Sequence, residues 1–452
     1  MSKTNLCNKF CRKPFEHFEV HPNGNVSLCC YSWLPYYAGQ LSENTSITEV
    51  FNSNTVKTIR KSIHDGTFKY CNHKLCPHIQ NNSLPDKTEV EGSRMKAIVE
   101  NEIVDALSPD FYNLCYDESC NLSCPSCRRN KINFNYGQGY DQRKKIQDII
   151  IRDIFETPHN RNCTVNITGS GDPFGSKLFR ELLFNIDGKN FPQLNINLQT
   201  NGVMFTEKYW NKMHKIHNNI NTVIVSYDAG TEGTYRVTRR GGDWNQLQDN
   251  MKFLSGLRSS ELINELRIDV VVQKINYKEM PLIVDIGKRL NVDVVYFSQL
   301  VNWGTYSKDE FDKRTVWEID HPEYNEFIKT ICDCRLEDPI VDLGNLTEYK
   351  TSYVAPPLTK LDEHTPYRQY TFTDIQQARD LVHKKNYNAY IDNSTNKIIY
   401  KLSLTDDDTI LDIGSGLGHI AKNLSSISKK LILLIFFILI IFSSLLSYEF
   451  LK

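Results

Sequence analysis

Phe111-Tyr-Asn-Leu-Cys115-Tyr-Asp-Glu-Ser-Cys120-Asn-Leu-Ser-Cys124-Pro-Ser-Cys127 opens with a short apolar strand, residues 111–116, and runs straight into three cysteines spaced Cys-x3-Cys-x2-Cys. Three thiolates on one loop can wrap an iron–sulfur cluster, whereas four would occupy every iron. The missing fourth ligand leaves one metal position open, where a small chelating molecule can bind and take an electron. Spacing alone leaves a structural zinc loop with a remote fourth cysteine as the alternative.

Downstream, apolar strands over 163–168, 194–200, 222–227, 267–273 and 292–298 alternate with helix-spaced stretches over 142–155, 177–186, 244–257 and 277–290. Together with the strand over 111–116, this alternation predicts an α/β fold with a parallel sheet, doubly wound or a partial (β/α)6 TIM-like barrel spanning residues 108–305. Three strands end in small or polar residues: Gly169-Ser170-Gly171-Asp172-Pro173, Gln199-Thr200-Asn201-Gly202, and Ser226-Tyr-Asp228. The C-terminal ends of parallel strands are where such folds place their active sites. Small residues allow close backbone approach to a ligand, and the Asp172 carboxylate can accept from an ammonium group. Each stretch alone reads as an ordinary turn. In register with the cysteine loop they read as one site.

The rest of the composition narrows the field. The chain has 452 residues, 53 basic and 54 acidic, for a formal net charge of −1, so no basic stripe marks a dedicated nucleic-acid binder. Its 40% hydrophobic and 24% charged content reads as folded globular chain and excludes collagen and coiled coil. Thirteen cysteines, ten of them before residue 130, follow a polar start with no apolar leader. Metal binding in a reducing cytoplasm is therefore the expectation, and no disulfide framework is expected. Cys115 and Cys163 fall inside strands and read as core residues. Cys332 and Cys334 are left unassigned.

Ahead of the barrel, residues 1–85 carry Cys7, Cys11, Cys29, Cys30, Cys71 and Cys76, with one amphipathic helix over 50–64. So few apolar runs predict a thin core stapled by zinc or by a saturated Fe–S cluster. Residues 86–107 read as a linker and 306–365 as a connector. Over 366–428 a helix and a strand at 408–413 lead into Asp412-Ile-Gly414-Ser-Gly416-Leu-Gly418. The last segment, 429–452, contains an apolar run from Leu431 behind Lys429 and Lys430. At sixteen residues to Leu446 it sits just under the roughly 17 to 20 needed to span a membrane. It reads as an anchor that holds the bulk in the cytoplasm, or as the apolar tail of a truncated gene.

The cysteine loop with its strand ends resembles the radical S-adenosylmethionine (radical SAM) superfamily over about residues 108 to 300. The resemblance implies a [4Fe-4S] cluster on Cys120, Cys124 and Cys127, whose open iron chelates the methionyl part of S-adenosyl-L-methionine. It implies cofactor contacts from Ser170, Gly171, Asp172 and Pro173, which match the family's Gly-Gly-Glu-Pro turn, and from Gln199, Asn201 and Ser226. Ser126 departs from the aromatic residue common before the third cysteine, and Asp172 is shorter than the usual Glu. The segments Cys11-Arg-Lys-Pro-Phe15, Gly24-Asn-Val-Ser-Leu-Cys29-Cys30 and Lys69-Tyr-Cys71 resemble the SPASM or twitch module. That likeness implies an auxiliary Fe–S cluster on Cys11, Cys29, Cys71 and Cys76, with Cys7 and Cys30 as alternates. The module here precedes the barrel, whereas in the family it usually follows. The Asp412 to Gly418 turn resembles the first motif of Rossmann-like methyltransferases and, with so little chain after it, reads as an incomplete Rossmann-like segment. The functional expectation is a radical SAM enzyme with an external one-electron reductant such as flavodoxin or ferredoxin, and a peptide or protein side chain as substrate. Ordinary methyl transfer, or a non-catalytic membrane-associated Fe–S protein, are the alternatives.

Overall fold

The computed structural model describes residues 5–350 apart from 106, 168 and 169, together with the backbone of 409–413 and 430–434. Its main sheet contains β1 (His17–Val20), β2 (Asn25–Ser27), β3 (Gly39–Gln40), β4 (Phe111–Leu114), β5 (Cys163–Ile167), β6 (Leu194–Thr200), β7 (Ile220–Ser226), β8 (Glu265–Val272), β9 (Val294–Gln299) and β10 (Val341–Asp342). The order is β10-β9-β8-β7-β6-β5-β4-β1-β2-β3. Strands β4 to β9 are the six expected from the sequence, all parallel and in chain order. The sheet has two ends among the described residues, so the barrel is partial.

Alternation along the strands sets the two faces. Val165 and Ile167 on β5, Ile196 and Leu198 on β6, and Ile268 and Val270 on β8 are fully buried, while the residues between them are half-buried. The buried face takes the apolar stripes of the crossover helices, with Leu178, Phe179, Leu182 and Leu183 from Lys177–Asn185 and Leu247, Met251 and Leu254 from Trp244–Ser259. Each such side chain contributes roughly 1.5 to 3 kcal/mol on leaving water. The other face is polar and turns toward the inside of the partial barrel. One row runs across it from Glu19 through Asn113 and Asn166, with Asn113 donating to the Glu19 carboxylate and Asn166 donating to Asn113, each at 2.8 Å.

The N-terminal module differs from its sequence reading in three respects. Its β1 pairs in parallel with β4, Glu19 opposite Asn113, so the module extends the barrel sheet at the edge of the first barrel strand. The helix expected over 50–64 is two helices, Ile47–Phe51 and Asn54–His64, because Ser53 caps the second by accepting from Val56. The linker 86–107 is structured: helix Ser93–Glu100 buries Met95 and Ile98 against Phe10, Phe15, Ile63 and Phe68, giving the module a real apolar core. The connector also adds β10, paired in parallel with β9. Cys115 and Cys163 are buried as expected.

In the C-terminal unit β11 (Thr409–Ile413) and β12 (Lys430–Leu434) pair in parallel. The strand expected at 408–413 is therefore present, and the start of the apolar run is strand. The Gly414 to Gly418 turn, the remainder of 366–428 and the rest of the apolar tail lie outside the described residues. Among the described residues no helix is long and apolar enough to cross a membrane.

Candidate functional site

The loop after β4 is held by its own acids. Asp117, fully buried, accepts from the backbone and hydroxyl of Ser119 and from the Ser176 hydroxyl. Glu118 accepts from Arg143 at 2.6 Å. The Ser170 to Gly175 turn packs against this loop backbone to backbone. A Cβ on Gly171 would stand 2.5 Å from the Asp117 carbonyl, and one on Gly175 would stand 2.9 Å from the Asn121 nitrogen. Glycine is needed at both points because no side chain fits the approach.

Cys120, Cys124 and Cys127 line one cavity of about 280 Å³ at the C-terminal end of the barrel strands. Ser170, Gly171, Gln199, Asn201 and Ser226 line it with them, so five of the seven expected cofactor residues meet the three cysteines. Asp172 and Pro173 do not line it. Asp172 is fully buried, and both oxygens are engaged: one accepts from the backbone of Phe174 and Gly175 at 2.9 Å, the other from the Thr200 hydroxyl and the Asn201 nitrogen at 2.8 Å. Burial pushes its pKa up against the pull of these donors. The expectation that it accepts from a ligand ammonium gives way to a different role, tying the β5 turn to the end of β6.

Each cysteine sulfur has a hydrogen-bond donor. Cys120 faces the Leu122 nitrogen at 3.4 Å and Asn201 Nδ2 at 3.7 Å. Cys124 faces Arg239 Nη1 at 3.7 Å, and Arg239 is paired with Asp228 at 2.9 Å. Cys127 faces Arg128 at 3.2 and 3.4 Å. Burial pushes the Cys120 thiol up to about 12 and raises Cys124 as well. Bound metal reverses that balance by displacing the protons. Three sulfurs on one cavity wall, each with a donor, suit a cluster whose irons take one thiolate apiece.

Cys11, Cys29, Cys71 and Cys76 surround a second, small cavity of about 20 Å³ walled by Trp33, Leu34, Phe68, Ile79 and Leu84. Burial and the neighbouring thiols push Cys11, Cys29 and Cys71 up to about 12. Cys7 and Cys30 are exposed and do not line it. Four sulfurs around one pocket are the number that a saturated site requires. Cys11 precedes β1, whose first residue is level with the first of β4, while Cys120 follows the other end of β4. The two cysteine sites therefore belong to opposite ends of the sheet.

Sequence reading left Asp117, Asn121 and Arg128 out of the site, and it gave Asp228 and Arg239 no role of their own. Asp228 ends the Ser226-Tyr-Asp228 stretch that the sequence placed at the site, and its φ of +57° marks it as a constrained position. Arg128 adjoins the third cysteine, but nothing in the sequence says where its long side chain folds.

Residues 118–280 match the family model of the radical SAM superfamily, and residues 11–77 match the SPASM iron–sulfur cluster-binding domain. No curated protein compared with this chain matches it. Among solved structures the chain is similar to Streptococcus suis SuiB bound to precursor peptide SuiA, at 15% identity and TM-score 0.37, covering 65% of this chain and 63% of that one. It is also similar to anSMEcpe with bound AdoMet and Cp18Cys peptide, at 18% identity and TM-score 0.35, covering 49% and 58%. A third is the radical S-adenosylmethionine methyltransferase TsrM from Kitasatospora setae, at 14% and 0.30, covering 40% and 35%. The chain thus spans less than two thirds of each of these three proteins.

Proposed function

We propose that this chain is a radical SAM enzyme that removes a hydrogen atom from a peptide or protein side chain. The observation that carries the reading is the meeting of Cys120, Cys124 and Cys127 with Ser170, Gln199, Asn201 and Ser226 on one cavity at the strand ends. A [4Fe-4S] cluster bound there supplies the electron that splits S-adenosylmethionine into methionine and a 5′-deoxyadenosyl radical. The chain's own residues bind and orient. The three thiolates hold the cluster, the Ser170 and Gly171 backbone offers close approach to the methionyl group, and Gln199, Asn201 and Ser226 offer polar contacts to the amino-acid and ribose parts. Asp172 acts indirectly, by fixing the turn and Asn201. Cys11, Cys29, Cys71 and Cys76 hold an auxiliary cluster, and an external flavodoxin or ferredoxin is the electron donor. The peptide or protein substrate rests on the SPASM match over residues 11–77.

Anaerobic reconstitution with iron and sulfide, followed by dithionite and S-adenosylmethionine, tests the reading. It expects 5′-deoxyadenosine from the native chain and none from Cys120→Ala, Cys124→Ala or Cys127→Ala. S-adenosylhomocysteine in its place would make the protein a methyltransferase, and neither product would leave an iron–sulfur protein without this chemistry.

A further inference from the structure

Arg128 stands in surroundings that are unusual for a cation. Its side chain is buried, and its guanidinium forks onto Cys127, with Nη2 at 3.2 Å and Nε at 3.4 Å from the sulfur. Nη1 donates to the Glu118 carbonyl at 2.6 Å, and Nη2 also donates to the Ser170 carbonyl. Among the described residues it has no ion pair with a carboxylate, and its hydrogen-bond partners are the Cys127 sulfur and two backbone carbonyls. Arg239, the other guanidinium at the site, differs: Asp228 compensates its charge, and it reaches Cys124 only at 3.7 Å. An uncompensated buried cation is costly unless an anion lies beside it. The Cys127 sulfur, a thiolate once it holds iron, takes that place.

We propose that Arg128 sets the reduction potential of the cluster held by Cys120, Cys124 and Cys127, by two-pronged donation to the Cys127 sulfur, and that it clamps this ligand to the Ser170 turn. The inference rests on the reading that those three cysteines carry an Fe–S cluster. Reduction by one electron adds a negative charge to the cluster, and a fixed cation with two N–H groups on a ligand sulfur stabilises that charge more than the oxidised state. Arg128 is thus a positioning and tuning residue, and its signature is a potential.

The test is a mediated redox titration of full-length reconstituted protein, followed by EPR, reading the signal that is missing from Cys124→Ala. Arg128→Gln should disfavour reduction about 10- to 100-fold, a midpoint roughly 60 to 120 mV more negative for a one-electron couple. Arg128→Lys keeps the charge but loses the fork and should shift the equilibrium about three- to tenfold. Arg128→Gln with native iron content and an equilibrium within about twofold of native overturns the proposal. Should Arg128→Gln lose iron from this site, Arg128→Lys decides in its place, and an unchanged midpoint there overturns it equally. The titration needs no S-adenosylmethionine. A shifted potential in a protein that makes no 5′-deoxyadenosine would uphold this inference while sinking the proposed function, and a Cys124→Ala variant that loses no signal would sink both.

Discussion

Asp172 separates what a residue type suggests from what its placement does. A carboxylate in a Gly-rich strand-end turn suggested a partner for a ligand ammonium, yet its oxygens serve four protein donors. Asp172→Ala would leave the Thr200 hydroxyl and three backbone N–H groups unpaired in a buried place. It should therefore cost about 4 kcal/mol or more in urea unfolding, at about 1 to 3 kcal/mol for each buried donor left unsatisfied. Cofactor affinity should fall with it through the displaced Asn201, and a variant of native stability would contradict the bracing role. Glu19 makes a related point on the inner face of the sheet. Burial works against its ionisation, but hydrogen bonds from His17 and Asn113 and the charge of the nearby imidazoles outweigh it and lower its pKa below the usual 4.5. A lowered folded-state pKa gives stability that is fully present above the unfolded value and lost as pH falls through the folded one. Glu19→Gln should flatten that acid limb of the stability curve, measured by urea unfolding between pH 6 and roughly pH 3, and an unchanged slope would contradict it. The residue types of the site were legible in the sequence. The long-range partners were not: Thr200 and Asn201 for Asp172, Asn113 for Glu19 and the Ser170 carbonyl for Arg128 lie 28 to 94 residues away, and no local pattern announces them.

At the scale of elements, the reading succeeded where periodicity is strong. Strand β6 matches the expected 194–200, and β4 to β9 all appear where period-two apolar patterns mark them. It failed where a single capping or packing event decides: Ser53 splits one helix into two, and Met95 and Ile98 turn a polar-looking linker into a packed helix. Strand β10 has only two residues, too few to show a period. The contact between the Ser170 turn and the cysteine loop is also an element-level feature, and it can be broken by one methyl group. Gly171→Ala would push a Cβ to 2.5 Å from the Asp117 carbonyl and 2.7 Å from that of Ser119, backbone atoms that cannot swing away. It should destabilise by about 1 to 3 kcal/mol, the usual cost of overpacking, and lower the iron bound at Cys120, Cys124 and Cys127. Gly233→Ala is the internal comparison, since a Cβ there meets nothing and the position lies in helix Glu232–Thr238. That variant should match the native chain or gain up to about 1 kcal/mol. Equal iron content and equal stability in the two variants would show that the close approach is not required.

For residues 5–350 as a whole, the question raised by the sequence was how a module placed before the barrel could serve it. The pairing of β1 with β4 answers part of that, because it welds the module to the edge next to the cysteine-bearing strand. The join is energetic as well as topological: Phe18, Val26, Phe51 and Val56 of the module share one apolar core with Tyr112, Val165 and Leu198 of the barrel. A second core holds Phe10, Phe15, Phe68 and Met95 around Cys76, with Cys11 and Cys71 packed against it. Loss of the auxiliary metal should therefore be felt well beyond the module. Removing ligands with Cys29→Ala and Cys71→Ala should lower iron by one cluster's worth and leave two thiols, the buried Cys76 and the half-buried Cys11, without their metal. The urea midpoint of the main unit should fall as one transition, because a shared core couples the two parts. The Cys120, Cys124 and Cys127 site lies at the other end of the sheet, so it should keep its iron and, with dithionite as donor, still yield 5′-deoxyadenosine. Two separate unfolding transitions would instead make the module an independent folding unit, and zinc in place of iron in the anaerobically purified native chain would make its cysteine site structural.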